Sequence, residues 1–445
     1  MGWSRRALDN AKIRLSAGSM GNGNVSPYSY TSEMTVSTAD DIVLGGSYPS
    51  YTSVGSTVPV SLTWEKSTTY DVGLDLDFFN NRLSVSGDYY RRYTTDMYTA
   101  SVALPAVYGT GSPKGNNAEM KTDGWELSLS WRDSFKLGGK PFDYSIKAMV
   151  WDSKSVITKY VNDTGSLGTV KGFIENGGSP SSYYVGMTVG EIWGYTVAGL
   201  FRDQADIDSS AIHDFVQASD KVTRPGQVKI ADLDGNGFID PGNFAVDDHG
   251  DLRIIGNQSP RYRYGVNLSA RWNGIGLSVF LQGVGARDWY PGSDAGMFWG
   301  KYGRPFFALI PSIHNYTDDM YSAERNNWDT AYWPRMTTYQ SNGTKNWTRL
   351  LEIPNTRYIQ SAAYLRVKNI QLDYSFPKHI CSAIRLQGLK IYVNAENLFT
   401  FTPLHKYAPN FDPEGLSYDS DFASAADGYT YPILKSVTVG VNITF

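Results

Sequence analysis

RYRYGVNLSARW (261–272), followed at once by Asn273-Gly274 and then IGLSVFLQG (275–283), is the stretch from which the architecture is read. Tyr262, Tyr264, Val266, Leu268, Ala270 and Trp272 fall on one face of an extended chain, and Arg261, Arg263, Gly265, Asn267, Ser269 and Arg271 on the other. Arginines gathered on one face cannot be buried unpaired in a core. The segment is therefore a strand that is apolar on one side only. The closing segment SVTVGVNITF (436–445) repeats the pattern, with Val437, Val439, Val441, Ile443 and Phe445 against Thr438, Gly440, Asn442 and Thr444. So do Trp125, Leu127, Leu129 and Trp131 against Glu126, Ser128, Ser130 and Arg132.

Weaker alternation runs through 13–17, 70–76, 83–89, 142–150, 277–281, 364–376 and 389–395. Within 364–376 the apolar phase slips from Leu365 and Val367 to Ile370, Leu372 and Tyr374, which predicts a β-bulge near Asn369. The total is about ten strands, each close to the ~9–11 residues that cross a bilayer when tilted. The connections between them, 19–67, 78–81, 94–120, 134–141, 153–259, 273–274, 287–360, 377–387 and 400–433, alternate long and short throughout. That asymmetry belongs to outer-membrane barrels, which have short periplasmic turns and long outer loops. A soluble sandwich has no reason to put every long loop on one side. The expected fold is all-β, a transmembrane antiparallel barrel whose apolar faces meet lipid and whose polar faces line a lumen. Tyr89, Tyr90, Trp131, Trp151, Tyr262 and Trp272 are expected in its aromatic girdles.

Composition agrees and excludes other classes. In 445 residues, 44 Gly with 31 Tyr, 19 Phe and 12 Trp favour β-structure with many turns. Forty basic against 44 acidic side chains, with no long basic run, argue against a nucleic-acid binder. The single Cys381 rules out an internal disulfide framework and a CxxC metal site. A mean hydropathy of −0.34 and no run of about 18 apolar residues exclude a membrane-spanning helix but not a barrel. MGWSRR (1–6) leads into no apolar stretch of signal-peptide length, so the chain is expected either to stay inside the cell or to be the later part of something longer.

The blocks LTWEKSTTYDVGLDLDFFNNRLSVSGDYYRRYTTDMY (62–98), VGMTVGEIWGYTVAGLF (185–201), PGQVKIADLDGNGFIDPGN (225–243), IIGNQSPRYRYGVNLSARWNGIGLSVFLQG (254–283), YLRVKNIQLDYSFP (364–377) and NAENLFTFT (394–402) resemble, in order, the carboxy-terminal half of SusC-type TonB-dependent transporters. The resemblance spans nearly the whole chain. It implies a barrel of about 22 strands closed by an amino-terminal plug, of which residues 1–445 would hold about ten. Ten strands that do not close leave two unpaired edges, untenable in lipid, so the chain is expected to be a fragment or truncated product. The resemblance further implies an outer-membrane location, a SusD-like surface lipoprotein over the outer loops, a TonB complex acting through the absent amino-terminal part, and an oligosaccharide or peptide solute. The alternative is a small self-contained barrel acting as an adhesin or passive pore.

Two stretches carry candidate chemistry. In ADLDGNGFIDPGN (231–243), Asp232, Asp234, Asn236, the Phe238 carbonyl and Asp240 stand at the first, third, fifth, seventh and ninth positions of an EF-hand-like loop with Gly237 at the sixth. Converging oxygens at this spacing suit a structural Ca2+, and the competing reading, with no helices flanking the loop, is a tight acidic turn without metal. The twelfth position is Asn243, not Glu, and Asp247 or Asp248 is the expected substitute. The loop 287–360 is rich in Trp289, Tyr290, Phe298, Trp299, Tyr302, Trp328, Tyr332, Trp333 and Trp347, of which Trp289, Tyr290, Trp299, Trp328 and Trp333 are the candidate substrate contacts by stacking on sugar rings. The competing reading packs these rings against the loop itself. No HExxH, GxSxG or Walker pattern is present, and no enzymatic activity is expected.

Overall fold

The structure, a computed structural model, describes residues 7–23, 31, 34–55, 62–100, 107, 114–162, 165–168, 183–213, 223–291, 296–299, 319–335, 353–416 and 433–445. Among these, ten strands form one antiparallel sheet: β1 (Leu8–Asn22), β2 (Glu65–Phe78), β3 (Leu83–Ala100), β4 (Lys114–Leu137), β5 (Lys140–Lys159), β6 (Arg261–Trp272), β7 (Ile275–Ala286), β8 (Tyr364–Ser375), β9 (Gly388–Phe401) and β10 (Ser436–Thr444). Each pairs only with its neighbours in sequence, and β1 and β10 are the edges.

The register shows why these residues make a membrane wall. One line of cross-strand neighbours runs Ala11, Leu76, Val85, Leu129, Ala148, Val266, Leu281, Val367 and Phe399. Every member is apolar. One residue further along each strand up to β7, the line reads Lys12, Asp75, Ser86, Ser128, Met149, Gly265, Gln282, Arg366 and Thr400, and is polar nearly throughout. A one-residue slip at any ladder would exchange the two faces. The expected bulge is present: the ladders on both sides of β8 step from Val367 to Asn369 and leave Lys368 unpaired. It keeps Leu365 and Val367 on the face that Ile370 and Leu372 continue.

The short connections suit their turns. Asn273-Gly274 and Gly138-Gly139 have positive φ at both residues (47° and 88°, 58° and 81°), the twist that matches a two-residue hairpin. The connection after β8 holds a helix, α1 (Lys378–Ala383). At the opposite end the strands outrun their expected limits. β4 has 24 residues and so is roughly 80 Å long at ~3.4 Å per residue, far more than an apolar band of about 25 Å needs even when tilted. The connection expected over 94–120 thus shrinks to 101–113, and the loop expected over 153–259 begins after Lys159. Alternation of apolar residues marks only the lipid-facing part of a strand, and the ladder continues above it, where Ala118, Asp152 and Ile157 are buried.

The girdle reading needs two corrections, and the first is Trp151, which shares the polar face with its ladder partners Glu126 and Arg263. Tyr89 lies on the outer face, 45% exposed, but Tyr90 lies on the polar face with its ring over Gly124, where any Cβ would meet it at 2.3 Å. At the short-turn end Trp131 donates to the Tyr144 hydroxyl and Trp272 to the Leu137 carbonyl, both at 3.0 Å, and Phe135 and Phe142 pack beside them.

In the assembled, membrane-inserted barrel, Leu268→Arg is expected to cost about 2–4 kcal/mol, while Asn267→Arg, one residue away on the polar face, is tolerated. A denaturant series in lipid vesicles measures both.

Candidate functional site

The hydrophobic core of this protein is in its loops. Leu167, Tyr195, Leu200, Ile230, Ile239, Leu252, Trp289, Phe298, Trp333, Tyr358, Leu404 and Phe411 belong to one buried cluster, and among the described residues no member lies in β1–β10. Three connections build it: 160–260, 287–363 and the described part of 402–435. Short ladders shape them, Glu191–Tyr195 with Leu252–Asn257, Val197–Leu200 with Val228–Ile230, and Asp288–Trp289 with Gln360–Ser361.

Trp289, Tyr290, Trp299 and Trp333 are 0–2% exposed at the centre of this cluster. Trp289 meets Phe298 edge-on, Phe298 meets Trp333, and Trp333 stacks on Tyr358 at 5.7 Å. A ring enclosed on all sides offers no face to a solute, so the stacking role expected for these four gives way to the packing role. Trp328 is half-buried at the cluster's margin. Tyr302 and Trp347 lie outside the described residues.

A strap, residues 402–416, ties the assembly to the barrel wall. Buried Arg366 of β8 pairs with Asp412 at 2.6 Å and Glu414 at 2.5 Å, and Lys368, the bulged residue, reaches Glu414 at 2.9 Å. Arg287 donates to the carbonyls of Pro413 and Leu416. The bulge was legible in the sequence; its carboxylate partners, more than forty residues on, were not.

The acidic turn forms as its spacing requires. Asp232 accepts from the Gly235 and Gly237 amides at 2.7 and 2.9 Å, Asp234 from the Asn236 amide, and the Asn236 side-chain Oδ1 from the Phe238 amide. Gly235 and Gly237 sit at φ +76° and +83°. Asp240 turns to the Gly242 amide and to the Asn236 amide group, and the Phe238 side chain is exposed. The carboxylate that joins Asp232 and Asp234 is neither Asp247 nor Asp248. It is Asp251, fully buried, with oxygens of all three within 4.8 Å of one another. Asp248 bonds the Asn243 side chain instead. Burial raises the Asp251 pKa above the ordinary carboxylate range.

Buried His213 braces the same region. Its Nε2 accepts the Ile230 amide at 2.9 Å, so Nδ1 carries the proton and donates to the Ala211 carbonyl at 2.7 Å. Burial lowers its pKa, and Lys229 nearby acts in the same sense.

The sheet's polar face carries ion pairs that reach across a middle strand. Arg14 of β1 passes over Gly73 of β2 to Asp88 of β3 at 2.8 Å, and a Cβ at Gly73 would lie 2.3 Å from Asp88. Arg271 and Lys390 converge on buried Asp373, with Gly276 giving the same clearance.

Lipid-facing strands, a charged inner face and loops folded on one end define the wall of a membrane β-barrel. Residues 6–247, more than half of the chain, match the family model described as TonB dependent receptor-like, beta-barrel, and the chain belongs to that family. TonB-dependent receptor P3 of Formosa agariphila is 26% identical over 98% of this chain and 39% of its own length. TonB-dependent receptor SusC of Bacteroides thetaiotaomicron is 24% identical over 98% of this chain and 38% of its own. A solved structure of the RagAB peptide transporter superposes with a TM-score of 0.68 at 18% identity, over 99% of this chain and 41% of that one. The chain thus spans about two fifths of the relatives it matches.

Two outcomes follow from the loop assembly. Arg366→Met leaves Asp412 without its ion-pair partner and Glu414 with Lys368 alone, a loss expected to be about 3 kcal/mol and to expose the strap to trypsin at Lys406; timed digestion reads it. Because the folded His213 pKa lies below the unfolded value of about 6.5, its contribution is complete above that pH and is lost as pH falls through the folded value. His213→Gln should therefore flatten the pH dependence of thermal stability on the acid side.

Proposed function

We propose that this chain forms the outer-loop-bearing wall of a TonB-linked importer in the bacterial outer membrane, which takes up an oligosaccharide or a peptide beneath a SusD-like surface lipoprotein. The observation that carries this reading is the apolar line across nine strands, joined to loops that fold on one end only. Family membership supports the TonB link. The names of two relatives, SusC and the RagAB peptide transporter, support a solute of one of these classes. The work of such a protein is capture and gated passage: the loop assembly offers a rigid rim, and the charged inner face lines the route.

The free edges of β1 and β10 weigh against a self-contained ten-stranded pore. Each unpaired backbone group in hydrocarbon costs several kcal/mol. We infer that further strands of the same transporter pair with both edges. Expressed alone, the chain should give no heat-modifiable, protease-resistant outer-membrane band and no uptake. Supplied with strands for its edges, it should give both, with uptake of labelled oligosaccharide or peptide lost when TonB is deleted. A stable band from the chain alone would contradict this assignment.

A further inference from the structure

We propose that Asp232, Asp234 and Asp251 hold a divalent cation, Ca2+ by the oxygen character of the ligands, and that Asp251 is the ligand that closes the site. The site is independent of which solute crosses the barrel. Oxygens of the three carboxylates converge within 4.8 Å. Among the described residues no lysine, arginine or histidine forms an ion pair with any of them: Arg253, the nearest guanidinium in sequence, turns to His249 and to the carbonyls of Gly250 and Leu252. Asp251 is fully buried, and the charged groups acting on it are the carboxylates of Asp234 and Asp232. Asp251 is oriented by the amides of Leu233 and Asp240, which donate to its two oxygens at 2.6 and 3.1 Å, and the negative charge of the three carboxylates is what a divalent cation between them would offset.

A second observation points to the same place from the other side. Tyr195 is 0% exposed, and its hydroxyl has no hydrogen-bond partner. Its ladder partner is Leu252, the residue that follows Asp251. A buried phenol normally finds a partner. A water retained by a hard cation beside Asp251 supplies one, because Ca2+ commonly completes its six to eight oxygens with water. The Tyr195 backbone is tied to Pro354 and Thr356, and among the described residues no hydrogen bond reaches its hydroxyl.

The position gives the cation its consequence. Asp232 follows Ile230, which is buried and paired to Val197; Ile239 is buried within the turn; Leu252, buried beside Asp251, pairs with Tyr195. A cation held by Asp232, Asp234 and Asp251 therefore fastens both ends of the 232–251 turn to the core that organises the outer loops. Its removal leaves the three carboxylates facing one another with only backbone amides as donors, and the loop assembly loses stability while the sheet does not.

The test uses the full 445-residue chain, folded and treated with chelator, with Ca2+ itself as the probe in titration calorimetry and thermal denaturation. One Ca2+ per chain and a higher transition temperature for the loops are expected. Asp234→Asn, at an exposed position where the amide oxygen still accepts from Asn236, and Asp251→Asn should each weaken binding at least about tenfold. Asp247→Asn, at an exposed carboxylate outside the site, should bind as wild type. If Asp251→Asn disturbs folding, Asp234→Asn still decides the outcome. Absence of binding by the folded wild type, or wild-type affinity in Asp234→Asn, overturns the site; loss of binding in Asp247→Asn overturns Asp251 as its closing ligand.

Discussion

The structure depends on the alternation that puts Leu76, Val85, Leu129, Val266, Leu281 and Val367 in one line across the sheet. An antiparallel meander with side chains at period two has one face for hydrocarbon and one for water, and ten strands must agree on which is which. The β8 bulge is what that agreement demands locally. Strict meander order then sends every long connection to the same end, because each strand reverses its predecessor. The loop core follows from the sheet: three connections delivered to one rim can bury Trp289, Trp333 and Tyr358 against one another, and none could do so alone.

Burial is accordingly inverted relative to a soluble protein. Val437, Val439 and Ile443 on β10 are at least 50% exposed, while Tyr195, Leu252 and Trp333 in the loops are 0% exposed. Ion pairs divide in the same way. On the inner face Arg14 and Asp88 bridge over Gly73, whose missing side chain leaves the pair its room. At the rim Arg366, Lys368, Asp412 and Glu414 join the wall to the loops. The rim cluster is the link through which the wall and the loop core share one geometry.

The sheet was legible in the sequence because alternation and turn residues are local signals. All ten strands, their order and the bulge could be read from neighbours within a few positions. The loops were not, since their fold depends on residues far apart. Nothing near Asp232 marks Asp251 as its partner, and nothing near Arg366 points to Glu414. The aromatic rings show the same limit: composition finds Trp289 and Trp333, but whether a ring faces solute or core is decided by three segments meeting. Strand ends were misjudged for a related reason, as β4 continues above the hydrocarbon where no apolar pattern is required.

Lipid exposure along β6 tests the central claim most directly. With buried Cys381 replaced by serine, single spin labels at each position from 264 to 271 in the assembled barrel report collisions with oxygen in lipid and with a water-soluble relaxant. The account predicts strict period two, with Tyr264, Val266, Leu268 and Ala270 facing lipid and Gly265, Asn267, Ser269 and Arg271 facing water. Equal accessibility of adjacent positions, or water contact on both faces, would contradict a membrane wall.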